Sequence, residues 1–256
     1  MAKFIPDVQG ELARTKRRVA NDVALSGGDA FTLETFDAGV AGRVVGFRDA
    51  RTDAGDDVYL GFEDAFRGSE DQIRSRQRAY PPLLEGRMPV LDVGCGRGEF
   101  LELLRDAGID AQGVDIDPAM VQRCRDKGLD RVELGDAGSH LEGLEDDSLG
   151  TIFAAQVIEH LPYLKLLRFL RAAMAKLAPA GLLIMETVNP HSPQALKHFW
   201  IDPTHQHPLF PETVLALCRL TGFASAFVWY PLGSGDPARD RGEQPDYAVV
   251  AETPAP

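Results

Sequence analysis

Cysteine, positive charge and long apolar runs are all in short supply in this chain, and each shortage closes off a class of protein. Only Cys95, Cys124 and Cys218 occur in 256 residues. An odd count without metal-ligand spacing gives no disulfide framework and no zinc cluster, and reads as reduced thiols in a cytoplasmic protein. Lys and Arg total 27 against 39 Asp and Glu, a formal net charge of −12. That balance argues against general binding to nucleic acid or to an anionic membrane surface. No apolar run approaches the ~18 residues of a transmembrane segment, and Met1 to Pro6 lacks the apolar core of a signal peptide. No internal repeat is apparent. The hydrophobic share of 44% is that of a globular protein with room for one α/β domain and an appendage.

The chain is organised around Val90-Leu91-Asp92-Val93-Gly94-Cys95-Gly96-Arg97-Gly98. An apolar run carrying an acid enters a glycine-rich turn. Phe100, Leu103, Leu104 and Ala107 then follow at helical spacing. The spacing predicts strand, tight turn and helix. The glycines let a ligand approach the backbone, and the helix N-terminus behind them adds N–H groups. Asp92 is unhelpful beside a pyrophosphate but suits a cationic amino group. The Gly-x-Gly-x-Gly spacing also differs from the nicotinamide fingerprint. A second acid, Asp115, ends the next strand-like run, 23 positions on, where a doubly wound sheet places its ribose-binding acid.

Downstream, Pro118 starts a helix over Ala119–Lys127 and Gly128 caps it. Residues 131–134 form a third strand before Gly135-Asp136-Ala137. Leu149–Ala155 is a strand buried on both faces, running into Gln156-Val157-Ile158-Glu159-His160-Leu161-Pro162. Ligands of open parallel sheets bind off the carboxyl ends of the strands, which puts Glu159 and His160 near the chemistry. Leu164–Leu177 is an amphipathic helix, and Leu182–Thr187 a fifth strand after a Pro179-Ala180-Gly181 turn. Residues 188–210 read as one long loop, dense in Pro, His and aromatics. It holds four of the six histidines, His191, His198, His205 and His207, beside Phe199 and Trp200. No pair of them has i, i+4 spacing and no cysteine accompanies them, so the expectation is an acceptor-binding loop without a metal. A helix over 211–220 and two closing strands, 224–230 and 247–251, joined by a loop over 233–246, complete the domain.

Before the glycine turn, Val58–Leu84 reads as a helical arm rich in arginine (Arg67, Arg74, Arg76, Arg78) and ended by Pro81-Pro82. Such arginines suit the carboxylate of the cofactor or an anionic acceptor. Residues 1–57 form an extension: a charged helix over 11–23, strands near 31–36 and 44–47, and a linker over 51–57. It packs on the catalytic domain, joins a second subunit in a homodimer, or stays partly disordered.

From Val90–Gly98, Asp115, Gly135-Asp136-Ala137, Ala155–Pro162 and Gly181–Asn189, the sequence resembles the class I S-adenosylmethionine (SAM) dependent methyltransferases over about residues 80–252. The resemblance implies an α/β, Rossmann-like, doubly wound seven-stranded sheet, mostly parallel, with a C-terminal antiparallel hairpin and the N-terminal extension outside it. It also implies SAM held by Asp92, Gly94, Cys95, Gly96, Asp115, Ile116, Asp136, Ala137, Gln156 and Arg78, with Asp136 facing the adenine amine. Glu159 and His160 would be catalytic, His160 as general base. Arg67, His191, Trp200, His205 and His207 would bind the acceptor, His205 and His207 serving as second-choice bases. Phe62–Ser69, the arginine run, Glu186-Thr187-Val188-Asn189-Pro190 and Asp202-Pro203-Thr204-His205 look like bacterial methyltransferases of glycan and surface-polysaccharide clusters, which implies a sugar hydroxyl or sugar-linked phosphate as acceptor. A small metabolite such as a quinone or polyketide is the alternative acceptor. A SAM-binding scaffold without turnover is the reading from another class.

Overall fold

In the computed structural model, residues 34–46 and 68–256 are described. The chain divides into two units, 1–73 and 74–256. In the first, β1 (Glu34–Asp37) pairs antiparallel with β2 (Arg43–Gly46), Glu34 opposite Gly46. The charged helix expected over 11–23 and the linker over 51–57 lie outside the described residues. The helical arm expected over 58–84 is described from residue 68, and its first ten residues lie outside the described residues. It comprises α1 (Glu70–Gln77) and a 3₁₀ turn over Pro81–Leu84. Two successive prolines lack the N–H groups a continuing α-helix needs.

The second unit contains the sheet. Its strands are β3 (Val90–Val93), β4 (Ala111–Asp115), β5 (Val132–Leu134), β6 (Leu149–Ala155), β7 (Leu177–Val188), β8 (Ser225–Trp229) and β9 (Asp246–Glu252). Their spatial order is β5-β4-β3-β6-β7-β9-β8. β3 to β7 are parallel, and β9 runs antiparallel between β7 and β8. This is the doubly wound sheet expected from the sequence. Between β3 and β6 the connections leave in opposite directions, which opens a cleft at their carboxyl ends.

Side chains of alternating parity sort onto the two faces. Leu91, Val93, Ile152, Ala154, Leu183 and Met185 pack with Leu166, Phe169 and Leu170 of α5 (Tyr163–Lys176) and Val214 and Cys218 of α7 (Pro211–Thr221). Val90, Phe153, Ile184 and Val250 face Phe100 and Leu104 of α2 (Glu99–Asp106), with Tyr80 and Leu84. A smaller cluster joins Cys95, Leu101 and Val132 to Val121 and Cys124 of α3 (Pro118–Asp126). The short α4 (Ala137–Gly143) follows β5.

Two expected loops contain helices. α6 (Pro193–Phe199) lies inside the segment 188–210, and α8 (Pro237–Glu243) inside 233–246. Both begin as α3 does, with a capping side chain followed by proline at the first helical position. Asp117 accepts from the Ala119 N–H, Ser192 from Ala195, and Asp236 from Ala238. β7 also starts five residues before the expected strand. The Pro179-Ala180-Gly181 turn is an irregularity within it, with Ala180 at φ 59°.

Gly150 on β6 is where backbone meets backbone most closely. A Cβ there would overlap the carbonyl of Arg87 and the Met88 nitrogen, neither of which is a flexible side-chain end. Gly150→Ala is expected to lower stability by about 1–3 kcal/mol, measured by urea unfolding, whereas Ala at the open position Gly143 is expected to be neutral or stabilising.

Candidate active site

Three strand tips converge on the cleft. At the first, Gly94, Gly96 and Gly98 adopt φ of 66°, 55° and 82°, and the last is the left-handed N-cap of α2. The Gly96 N–H donates to Asp115 Oδ2 at 2.7 Å, which ties the turn to the tip of β4. Asp115 Oδ1 accepts from the Asp117 N–H at 2.9 Å. A carboxylate offers about four lone-pair sites, so Asp115 retains acceptor capacity for a ligand. Asp92 is buried at the end of β3, in register with Gly113 and Phe153. Behind the turn, Cys124 Sγ donates to the Gly96 carbonyl at 3.3 Å. A hydrogen bond with Cys124, together with burial, holds the Cys95 thiol far above its usual pKa, and Cys95 packs in the cluster with Leu101 and Val121. Ile116 stands 71% exposed next to Asp115, an apolar side chain at a strand tip with nothing over it.

The second tip is β6. Gln156, at φ 56°, donates its N–H to the Glu186 carbonyl, and a 3₁₀ turn over Ile158–His160 follows. A Cβ on Gly94 would stand 2.5 Å from Val157 Cγ2, so this turn and the glycine turn are in contact. The Gln206 N–H donates to the Glu159 carbonyl at 2.9 Å and brings 202–206 over the tip. The rings of His160 and His205 are thereby 4.6 Å apart, edge to face. Thr204 Oγ1 donates to Asp202 Oδ1 at 2.6 Å and therefore receives the Nδ1–H of His160 at 2.9 Å. His205 Nδ1–H donates to the Phe199 carbonyl at 2.7 Å. Both tautomers follow from these partners, and both leave the ring lone pair on Nε2. Glu159 is 1% exposed, and burial pushes its carboxyl up to about 8. Thr187 is near enough to favour the anion, yet neither carboxylate oxygen makes a hydrogen bond.

The third tip joins β7 and β9. Tyr80 donates its hydroxyl to Glu186 Oε2, and Gln156 Nε2 donates to Asp246 Oδ1 at 3.3 Å. Burial, reinforced by the Asp246 charge, pushes the Glu186 carboxyl up to about 7, while Arg76 eases it. Tyr80 in turn is held well above its usual range by burial and by Glu186. Glu186, Asp246 and Tyr80 did not stand out in the sequence as site residues. The only signal was an acid inside an apolar strand and another before one.

The remaining candidates are dispersed. Asp136 caps α4 by accepting from the Ser139 N–H, and Ala137 is the first residue of that helix. Arg78 and His207 are exposed, and Arg67 lies outside the described residues. His191 meets Glu212 at 3.0 Å and stacks edge-on against Phe210. Trp200 is 63% exposed beside Phe199.

A glycine turn and an acid at successive tips of a doubly wound sheet define a nucleoside-binding α/β protein. A sequence profile described as a methyltransferase domain matches residues 66–224. The crystal structure of a SAM-dependent methyltransferase from Archaeoglobus fulgidus superposes with a TM-score of 0.68 at 32% identity, covering 77% of this chain and 100% of that one. The chain belongs to the SAM-dependent methyltransferase family. Among curated relatives, a ubiquinone biosynthesis O-methyltransferase of Azorhizobium caulinodans is 33% identical over 111 residues, 39% of this chain and 40% of that protein. A probable SAM-dependent methyltransferase of Mycolicibacterium smegmatis is 28% identical over 134 residues, 52% and 51%. The chain thus spans between two-fifths and half the length of these relatives. Among the described residues, no helix is long and apolar enough to cross a membrane.

The half-buried, desolvated carboxyl of Glu186 makes a signed prediction. Its folded pKa lies above the unfolded one, so its contribution to stability is complete below about 4.5 and is lost as pH rises through about 7. Glu186→Gln keeps a partner for Tyr80 and removes the charge. It is expected to be more stable than the parent at pH 8, by roughly 2–3 kcal/mol, and equal to it near pH 5. Urea midpoints across that window decide the matter. A parent protein that gains stability over the variant as pH rises would count against the desolvated-acid account.

Proposed function

We propose that this protein transfers the methyl group of SAM to a hydroxyl oxygen of a small-molecule acceptor. The observation that carries the reading is the meeting, at one topological switch point, of a glycine turn tied to Asp115 with the Glu159–His160–His205 cluster. The residues fit the cofactor. Asp115 has acceptor capacity left for ribose hydroxyls, the open face of Ile116 suits a flat base, and buried Asp92 suits an ammonium group. Bound there, SAM supplies a methyl group already made electrophilic by its sulfonium.

The rest falls to the chain. Gly94 and Gly96, both at positive φ, keep side chains out of the cradle. Glu159, His160 and His205 meet the acceptor hydroxyl and make its proton easier to lose. Holding the oxygen in line contributes several kcal/mol, and up to about 7–11 in well-oriented systems.

Two acceptor classes remain in view. The curated relatives named as ubiquinone biosynthesis O-methyltransferases support a small hydroxylated acceptor. The exposed rings of Trp200 and Phe210, flanking the acceptor segment, favour the second reading, a sugar hydroxyl of a glycan. Incubation with methyl-labelled SAM and separate panels of catechols and quinols, oligosaccharides and proteins is expected to label the small hydroxylated compounds. Label on oligosaccharide alone replaces the first reading by the second, and label on protein alone removes both.

Asp115→Ala is expected to weaken S-adenosylhomocysteine binding about 10- to 150-fold, the range for losing one charge-assisted hydrogen bond of ~1.5–3 kcal/mol. Asp115→Asn, which still accepts from Gly96, is expected to fall between. Calorimetric titration at constant pH reads both. An unchanged affinity in the alanine variant would remove the ribose assignment.

A further inference from the structure

We propose that Glu159, His160 and His205 bind one first-row divalent transition-metal ion, to which the acceptor hydroxyl adds as a further ligand. One ligand atom from each of the three lies within 4.8 Å of the other two. Bonds of about 2.0–2.2 Å place donors roughly 3–4 Å apart, so side-chain rotation alone brings the three onto an ion.

A second observation is independent of that proximity. Both oxygens of Glu159 are buried and without a hydrogen-bond partner. Buried carboxylates are normally paired or coordinate metals, because an uncompensated one is costly. This one faces two imidazoles, and no Lys or Arg partner is recorded for it among the described residues.

A third observation concerns what surrounds the ligands. A metal-bound histidine characteristically donates its other ring N–H to a carbonyl or carboxylate, which fixes the tautomer and aims the lone pair. His205 does so to the Phe199 carbonyl; His160 donates instead to the Thr204 hydroxyl, which is itself anchored on the Asp202 carboxylate. Asp202 Oδ2 also stands 3.8 Å from His205 Nε2. Two imidazoles and one carboxylate are the donor set of zinc, iron or manganese sites rather than of magnesium or calcium, which prefer oxygen throughout. The histidines are 45 positions apart and do not show sequence spacing. The fold assembles them, which is why spacing alone led to the expectation of no metal.

The role of the ion rests on the methyl-transfer reading above; its binding does not. With the hydroxyl oxygen on the ion, the O–H proton passes to solvent. The O–C bond then forms as the sulfonium S–C bond breaks, and that bond's electron pair stays on sulfur. The metal keeps its oxidation state, so no oxidant or reductant is needed. His160 then acts through the ion in place of direct proton transfer.

The test uses the full chain, stripped with chelator and titrated with Co²⁺ as the probe. Visible d–d absorption and calorimetry follow the ion, and S-adenosylhomocysteine affinity is measured on the same samples. The expected result is one Co²⁺ per chain, displaced by Zn²⁺. Binding is expected to weaken at least 100-fold in Glu159→Gln and His205→Gln, and about 10- to 100-fold in Thr204→Val. S-adenosylhomocysteine affinity should change less than threefold in all of them, which also certifies their folding. The proposal is overturned if the parent protein shows no saturable d–d band, or if Glu159→Gln and His205→Gln bind Co²⁺ as the parent does. Loss of S-adenosylhomocysteine binding by the parent, with Co²⁺ still bound, would overturn the methyl-transfer reading and leave the metal site standing.

Discussion

The functional half of this molecule depends on how closely two turns approach at the carboxyl tips of β3 and β6. Gly94 has room for a hydrogen and nothing larger, because Val157 fills the space its side chain would take. That contact sets the distance between the turn that shapes the nucleoside side of the cleft and the turn that carries Glu159 and His160. The glycine turn is held on its other flank by Asp115, and the second turn by the Gln206 hydrogen bond to the Glu159 carbonyl. Four segments remote in sequence are thereby locked to one another through backbone groups, which leaves their side chains for chemistry.

The polar interior at this edge works against stability. Glu159 is buried and Glu186 and Asp246 are half-buried; all three have raised pKa values, and desolvation is the first cause for each. A chain already carrying a net charge of −12 gains nothing in folding by hiding three acids. By contrast, the buried Glu99 is paired, with Arg97 at 2.8 Å. Departures from the rules that stabilise a fold concentrate where function is performed, and here they concentrate at one rim of one sheet.

Much of the fold was written in local pattern. β3 and β6 are mostly apolar runs, broken by Asp92 in one and Thr151 in the other, because they are covered on both faces, and the Asp117-Pro118 start of α3 carries its cap in sequence. The same cap-and-proline signature begins α6 and α8 at Ser192-Pro193 and Asp236-Pro237, but the surrounding Gly, Pro and His density outweighed it and both segments read as loops. The glycine turn and Asp115, joined by the Gly96 N–H, were similarly visible, since they lie on two adjacent strand tips. The cluster at the tip of β6 was visible only in part. His205 meets His160 through a hydrogen bond between backbone groups at 206 and 159, and Glu186 meets Tyr80 across 106 positions. Such pairings are set by tertiary structure and leave no periodicity to read.

The chain has two tryptophans, and they stand in opposite surroundings. Trp229 packs edge-on against the buried ring of Tyr80, while Trp200 projects into solvent from the end of α6. Excited at the red edge of indole absorption, the protein emits from one shielded and one hydrated fluorophore. A molecule that covers Trp200 can thus be followed through that ring alone, by quenching or a blue shift, against Trp229 as an internal standard and without attaching a dye.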